Sequence, residues 1–199
     1  MRLVHLTALG ALILVGVATG ADEKTVVVKL NKLSAPAPAG WKSEKPANRF
    51  RTYQFKLPGA KDHPEAELSV MNESLPGADK NFPKWKNTFA VPEGKTADDI
   101  SKTAKWEVKG ATVNVLDVTG TWKYKERPFD PKSKEMLLED WRVIWVIVEE
   151  KDAKGEPLET HHLRLSGPSV TIAEHAKGFE AWVKRFKLPN PNPCAALGL

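Results

Sequence analysis

Two adjacent histidines, His161 and His162, are the side chains of this 199-residue chain best suited to chemistry. Imidazole titrates near neutral pH, so a histidine beside a carboxylate can move protons, and several histidines together can hold a metal ion. The surrounding segment ETHHLRLSG, residues 159–167, predicts a strand, and successive side chains of a strand point to opposite faces of a sheet. We therefore expect His161 on a buried face, His162 on the other face, and no metal ion shared between them.

A carboxylate that could work with a histidine is Asp117, in the segment VNVLDVTG at 113–120. It shares a predicted strand face with Val113 and Val115, so it is either the acid of a pocket or a strand-end carboxylate bonded to a turn. The first interpretation predicts a hydrolytic or metal-dependent enzyme that uses Asp117 with His161 or His162. This hypothesis requires the acid and a histidine to line one cleft within hydrogen-bonding reach, and it fails if they lie on opposite faces or more than about 10 Å apart, roughly three times that reach.

The remaining reactive groups match no known catalytic pattern. Ser166 precedes a glycine but lacks the G-x-S-x-G turn that exposes a nucleophilic serine. His63 and His175 show no zinc-binding spacing, and the glycines do not form a phosphate-binding loop. Cys194, the single cysteine, stands in the C-terminal tail. We therefore predict no metal ion and no cofactor, and assign no catalytic residue beyond the Asp117 hypothesis.

Aromatic residues offer a second kind of site. The chain has seven tryptophans, and the helical or buried patterns around Trp85 and Trp145 assign those two to packing. Trp122 and Tyr124 alternate on one face of a predicted strand and are not explained in this way. They predict either an aromatic ligand-binding patch or a cover for the second face of the sheet.

The elements that must position these residues are read from periodicity. Consecutive strands are separated by short polar loops, and two segments change to a helical period. The segment 141–150 is apolar on both alternating faces, which is typical of a central strand covered on both sides. Lys109-Gly110 predicts a tight turn between two strands. We predict a single α+β domain, a mostly antiparallel β-sheet with packed helices, with strands near 49–58, 65–73, 102–124, 141–150 and 159–167 and helices near 81–89 and 172–186.

The two ends of the chain differ in composition from the middle. Residues 1–21 combine an early arginine, an apolar run and small residues, which is the order of a secretory signal peptide. Residues 22–40 form a Pro/Ala-rich arm: LSAPAPAGW at 33–41 predicts a short extended linker, and VVVKLNKL at 26–33 is either a short strand or a β-prone arm. Residues 41–188 hold the α+β domain, and residues 189–199 form a flexible tail. We expect export to a periplasmic or extracellular location.

Charge and cysteine content narrow the classes of partner. The net charge is +5, but the lysines are scattered among acids and form no stripe of the kind that binds nucleic acid. The scattered lysines leave open a role at a polyanionic envelope surface. With one cysteine, an internal disulfide is excluded. We expect a monomer with no nucleic-acid partner and no transmembrane segment after the signal peptide.

Several segments together resemble known proteins. The sequence resembles small secreted proteins of planctomycete-type bacteria of uncharacterised function, and more weakly the PsbP-like α/β/α sandwich, in which a Gly-Pro corner leads into a closing amphipathic helix. The resemblance covers residues 41–188 and rests on AELSV at 66–70, VNVLDVTGTW at 113–122, WRVIWVIVE at 141–149 and LRLSGPSVTIAEHAKGFEAWVKRFKL at 163–188. These are packing motifs, so the resemblance implies a fold and carries no site residue.

The self-consistent core and the absence of a matching catalytic motif favour one function over the other. The leading hypothesis is an exported, non-catalytic binding or accessory module with an unidentified protein or envelope partner. The alternative is the enzyme described above, with Asp117 and one of the two histidines.

Overall fold

The structure, a computed structural model, describes residues 25–71, 77–126 and 130–189. The predicted signal peptide, Cys194 and nearly all of the predicted tail lie outside the described residues. Within the described part, no helix is long and apolar enough to cross a membrane.

A single domain is built on a mostly antiparallel β-sheet with two helices. Residue alternation in the strands and the 3.6-residue period in the helices produce these elements. In chain order the elements are β1 (Val27–Lys29), β2 (Ser34–Pro36), β3 (Lys42–Glu44), β4 (Tyr53–Leu57), β5 (Ala66–Met71), α1 (Ala78–Lys86), β6 (Phe89–Ala90), β7 (Ser101–Val108), β8 (Ala111–Lys125), β9 (Glu135–Lys151), β10 (Pro157–Pro168) and α2 (Ser169–Val183). The coarse α+β prediction is therefore confirmed.

The main sheet has eight strands and the order β3-β4-β5-β10-β9-β8-β6, with β7 pairing the other half of β8. The predicted central strand is the long strand β9, which lies between β8 and β10. Its residues 143–148 are all buried, as expected for a strand covered on both faces. The predicted tight turn is also present, since Gly110 adopts a φ of +88° between β7 and β8, where a residue with a side chain would be strained.

The two faces of the sheet carry one helix each, and we name them after those helices. On the α2 face, the apolar stripe of α2 packs on the larger core, where Ile172, Phe179 and Val183 are fully buried. On the α1 face, Phe82 and Trp85 of α1 pack against a smaller, mostly aromatic core that includes Trp122 and Trp145. Helix α1 begins three residues before the predicted Asn81 start, and it tolerates Pro83 in its interior.

The Pro/Ala-rich arm differs from the linker predicted for it. Strands β1 and β2 pair with each other, and Val28, Leu33 and Ala35 are buried in the larger core. Small alanines allow this backbone to approach the sheet closely, and the carbonyl of Pro36 accepts a 2.9 Å hydrogen bond from the Trp182 indole Nε1. Extended Pro/Ala sequence therefore forms part of the packed structure here.

Candidate functional site

The two predicted histidines lie on opposite faces of the sheet. His161 is fully buried on the α2 face, where its Nε2 lies 3.3 Å from the Glu150 carboxylate. His162 lies on the α1 face and meets the ring of Trp85 edge-on at 5.1 Å. The two side chains cannot share a metal ion. Among the described residues, no group of three or more His, Cys, Asp and Glu side chains is placed to hold one.

Asp117 is not brought together with either histidine. Its carboxylate accepts two hydrogen bonds from the Arg142 guanidinium, at 2.9 Å from Nε and 2.6 Å from Nη2. The same ion pair raises the pKa of Arg142. In the sheet register Asp117 is aligned with Ile144, whereas His161 is aligned with Val148, four residues along β9. That offset alone is about 13 Å. His162 is on the other face, so the cleft required by the enzyme hypothesis is not formed.

His161 and Glu150 instead form a buried polar pair that holds the N-terminal arm. Glu150 Oε2 accepts the backbone N–H of Lys32 at 3.0 Å, and Oε1 accepts that of Leu33 at 3.3 Å. The carboxylate thus satisfies two donors in the turn between β1 and β2, because a buried N–H without an acceptor is costly. Burial lowers the pKa of His161, and the nearby charges of Glu150 and Glu159 oppose that shift only in part.

The aromatic residues do form a concave site, on the α1 face. A cavity of about 380 Å³ is bordered by Trp85, Trp122, Tyr124, Trp145 and Arg164, among others; we call it the aromatic pocket. The Trp85 and Trp145 rings stack at 5.3 Å with an interplanar angle of 16°, and Trp122 meets Tyr124 at 4.9 Å. Trp122 is only 6% exposed and packs in the smaller core, so it covers this face of the sheet, whereas Tyr124 is half-buried at the border of the cavity.

Local geometry explains how two elements converge on this pocket. The pairing of β8 with β9 changes register between Gly120 and Trp122, and Asp140 on the opposite strand has a positive φ of 50°. A bulge of this kind bends a strand and re-aims its side chains. Beyond it, the Trp122 indole donates to the Thr88 hydroxyl at 3.2 Å, and the Lys123 N–H donates to the Thr88 carbonyl at 2.8 Å. These bonds fix Trp122 beside the end of α1.

The start of α1 is held against the sheet by a close approach at Gly77. A Cβ atom on this residue would lie 2.6 Å from Glu149 Oε1, so a larger residue would require the Glu149 carboxylate to move. The Glu149 carboxylate also accepts a 3.2 Å bond from Asn114 Nδ2, which orients it. A negative charge near a helix N-terminus is favourable. The glycine and the carboxylate thus help to place Trp85, about two turns of helix further on, over the pocket.

A charged network borders the aromatic pocket on its β5 side. Glu67 Oε1 lies 3.0 Å from Arg51 Nη1 and 3.3 Å from Arg164 Nη2, so two arginines share one carboxylate. Gln54 joins the network by donating to Glu67 Oε2 at 3.2 Å and accepting from Arg51 at 2.8 Å. The Arg164 guanidinium also lies over the Trp122 ring, 5.5 Å from its centroid. A cationic group therefore stands at the edge of an aromatic wall.

Arg164 is the most perturbed member of this network. Its pKa is lowered by burial in the first place and by the positive charge of Arg51 in the second, with Glu67 opposing both. Arginine nonetheless remains charged at neutral pH, because its unperturbed pKa is so high. Its Nε is buried and finds no hydrogen-bond partner in the described structure, and the same holds for the hydroxyl of Ser69, its neighbour across β5.

Sequence reasoning identified two walls of this site and missed the others. Trp85 and Trp145 fit packing patterns and were assigned to the core, yet they also border the cavity. Arg164 and Glu67 were not predicted as site residues. Their position in the sheet could have indicated them. Both are charged residues in strands that lie between other strands, and both face a side of the sheet that a helix covers.

The chain was compared with known proteins. No protein-family model matches it, and no curated protein compared with it is similar enough to be a relative.

Proposed function

We propose that this protein is an exported binding module that holds a ring-shaped ligand in the aromatic pocket. The observation that carries the proposal is the pocket itself, in which indole rings and a phenol border a cavity with an arginine at its edge. Its volume of about 380 Å³ falls within the range of small-ligand sites, which are mostly apolar with a few placed polar groups. Flat indole faces suit the apolar faces of sugar rings or other planar groups.

The chemistry of the lining favours binding. Tyr124 and Trp85, which are half-buried, offer contact area, and the Tyr124 hydroxyl and Arg164 offer hydrogen bonds. Among the described residues the enzyme alternative, with Asp117 and His161 or His162, gains no support from the geometry, because Asp117 is paired with Arg142 and both histidines are buried elsewhere. No specific observation favours that second function.

The wider setting belongs to the same proposal. The signal-like pattern of residues 1–21 supports export to the periplasm or the cell exterior, where envelope glycans are abundant ring-shaped ligands. A helix on each face of an antiparallel sheet, and the Gly167-Pro168 corner before α2, support kinship with the PsbP-like α/β/α sandwich. We propose a monomer that works as an accessory to an envelope partner.

The test is titration calorimetry of the purified protein against a set of oligosaccharides, both neutral and acidic. We expect at least one of them to bind, and Tyr124→Ala to weaken it by up to about tenfold through lost ring contact. Trp106→Ala is the matched control, because Trp106 is a half-buried aromatic residue packed against the other core. Absence of binding by any member of the set at millimolar concentration, or equal losses in the two variants, would refute the aromatic pocket as the site.

A further inference from the structure

The charges around the aromatic pocket are unbalanced. Two arginines, Arg51 and Arg164, act on the single carboxylate of Glu67. Three more charged residues border the pocket: Glu135 and Lys125 are cross-strand partners whose charges offset each other, and Lys123 adds a further positive charge. Within the described part of the chain, the side of the pocket at Arg164 therefore carries one positive charge more than its partner acid neutralises.

This excess positive charge is largely buried, and burial of a charged group is energetically costly. The Arg164 side chain is only 19% exposed, and its pKa is lowered by burial and by Arg51. Its guanidinium has five N–H donors, and the structure pairs Nη2 with Glu67 through a single long contact of 3.3 Å. An anion in the pocket would receive a charge-assisted, two-donor contact, which is the strongest type of hydrogen bond that an arginine forms.

Resting on the proposed binding function, we propose that the ligand is an acidic glycan: a sugar ring that lies against Tyr124 and Trp85, two half-buried rings of the pocket, and carries a carboxylate or sulfate paired with Arg164. The ring contact and the anion contact are close together, because the Arg164 guanidinium lies over Trp122 at 5.5 Å and Trp122 meets Tyr124 at 4.9 Å. Arg164 is thus the specificity-determining residue and the aromatic rings supply the common affinity. The positive charge of Arg51 raises the electrostatic potential at the pocket, and Arg51 forms an ion pair with the Glu67 carboxylate.

The experiment compares three trisaccharide probes that differ in charge: a galacturonate trimer, a sulfated galactose trimer and a neutral galactose trimer. Titration of the wild-type protein at two salt concentrations should show at least about tenfold tighter binding of one of the acidic trimers than of the neutral one. Salt should weaken this preference. Which acidic trimer binds more tightly distinguishes a carboxylate ligand from a sulfate ligand, and a preference for either supports the inference.

Variants assign the preference to Arg164. We expect Arg164→Gln to weaken binding of the acidic probe at least about tenfold more than binding of the neutral probe, and Arg164→Lys to restore part of the preference, because lysine keeps the charge without the fork. Arg142→Gln is the matched control, an arginine that is paired with Asp117 on the other face. If Arg164→Gln does not fold, Arg164→Lys decides: it should bind the acidic probe less tightly than the wild-type protein does, and an unchanged preference would overturn the inference.

The possible failures are distinguishable. Equal affinity of the wild-type protein for charged and neutral probes would overturn the inference and leave the binding function standing. A selectivity that Arg164→Gln and Arg142→Gln both preserve would also overturn it. Absence of binding by all three probes would refute the binding function proposed for the pocket, and the inference with it.

Discussion

Removal of the Glu150 carboxylate should release the N-terminal arm from the sheet. Glu150 is 1% exposed, accepts backbone N–H bonds from Lys32 and Leu33 at 3.0–3.3 Å, and faces His161 at 3.3 Å. Glu150→Ala would leave two buried donors without an acceptor and open a small cavity. Each buried N–H left without an acceptor costs about 1–3 kcal/mol, so we expect Glu150→Ala to lose about 2–6 kcal/mol of unfolding free energy. Glu150→Gln keeps one acceptor oxygen, so we expect a loss of about 1–3 kcal/mol.

Two assays separate a local from a global effect. Denaturant unfolding gives the loss of stability, and hydrogen exchange shows where protection is lost. We expect the amides of Lys32 and Leu33 to exchange faster in Glu150→Ala at denaturant concentrations where α2 remains protected. Glu174→Gln, which removes an exposed carboxylate from α2, is the control. A change below about 1 kcal/mol in Glu150→Ala, or unchanged exchange in the arm, would refute the reasoning.

Two further predictions concern the α2 face. Burial lowers the pKa of His161, so the folded protein keeps this imidazole neutral while the unfolded chain takes up a proton near pH 6.5. The neutral His161 should therefore contribute fully to stability above pH 6.5, and this contribution should decline as the pH falls further. His161→Gln should flatten the stability profile below pH 6.5 in urea titrations, and an unchanged slope would contradict the assignment. Phe179 is fully buried in the larger core, so we expect Phe179→Ala to lower the free energy of unfolding by about 3–5 kcal/mol. A loss below about 1 kcal/mol in thermal or denaturant unfolding would show that the neighbouring side chains can close the cavity.

The elements that periodicity predicted are those in which one pattern dominates. Strand β9 has apolar residues at every position from 143 to 148, so only a centre-of-sheet placement satisfies it. Helix α2 has a single apolar stripe, and the stripe faces the sheet. The opposite orientation of His161 and His162 follows from strand alternation alone. In each case the local signal and the tertiary environment require the same arrangement.

The elements that were missed depend on contacts between distant parts of the chain. The Pro/Ala-rich arm looks like a linker by composition, and only its hydrogen bonds to Glu150, more than a hundred residues away in sequence, show why it packs. The same limit applies to the aromatic pocket. The sequence patterns around Trp85 and Trp145 are those of packed residues. Neither pattern indicates that part of the side chain borders a cavity.

Arg164 links this limit to function. Replacing a buried charged network by apolar residues of similar volume is often neutral or stabilising, so a fold alone gives little reason to keep Arg51, Glu67 and Arg164 together on a covered face. The network is also incomplete, because Arg164 Nε and the Ser69 hydroxyl have no partner in the described structure. A cost of this kind is expected where a site must be ready for a ligand before the ligand arrives. His161 Nδ1 is likewise buried without a hydrogen-bond partner in the described structure, so an unpartnered atom alone does not mark a site. Arg164 differs because it also borders a cavity with aromatic walls, and on this argument we propose the binding site there and not at the histidines.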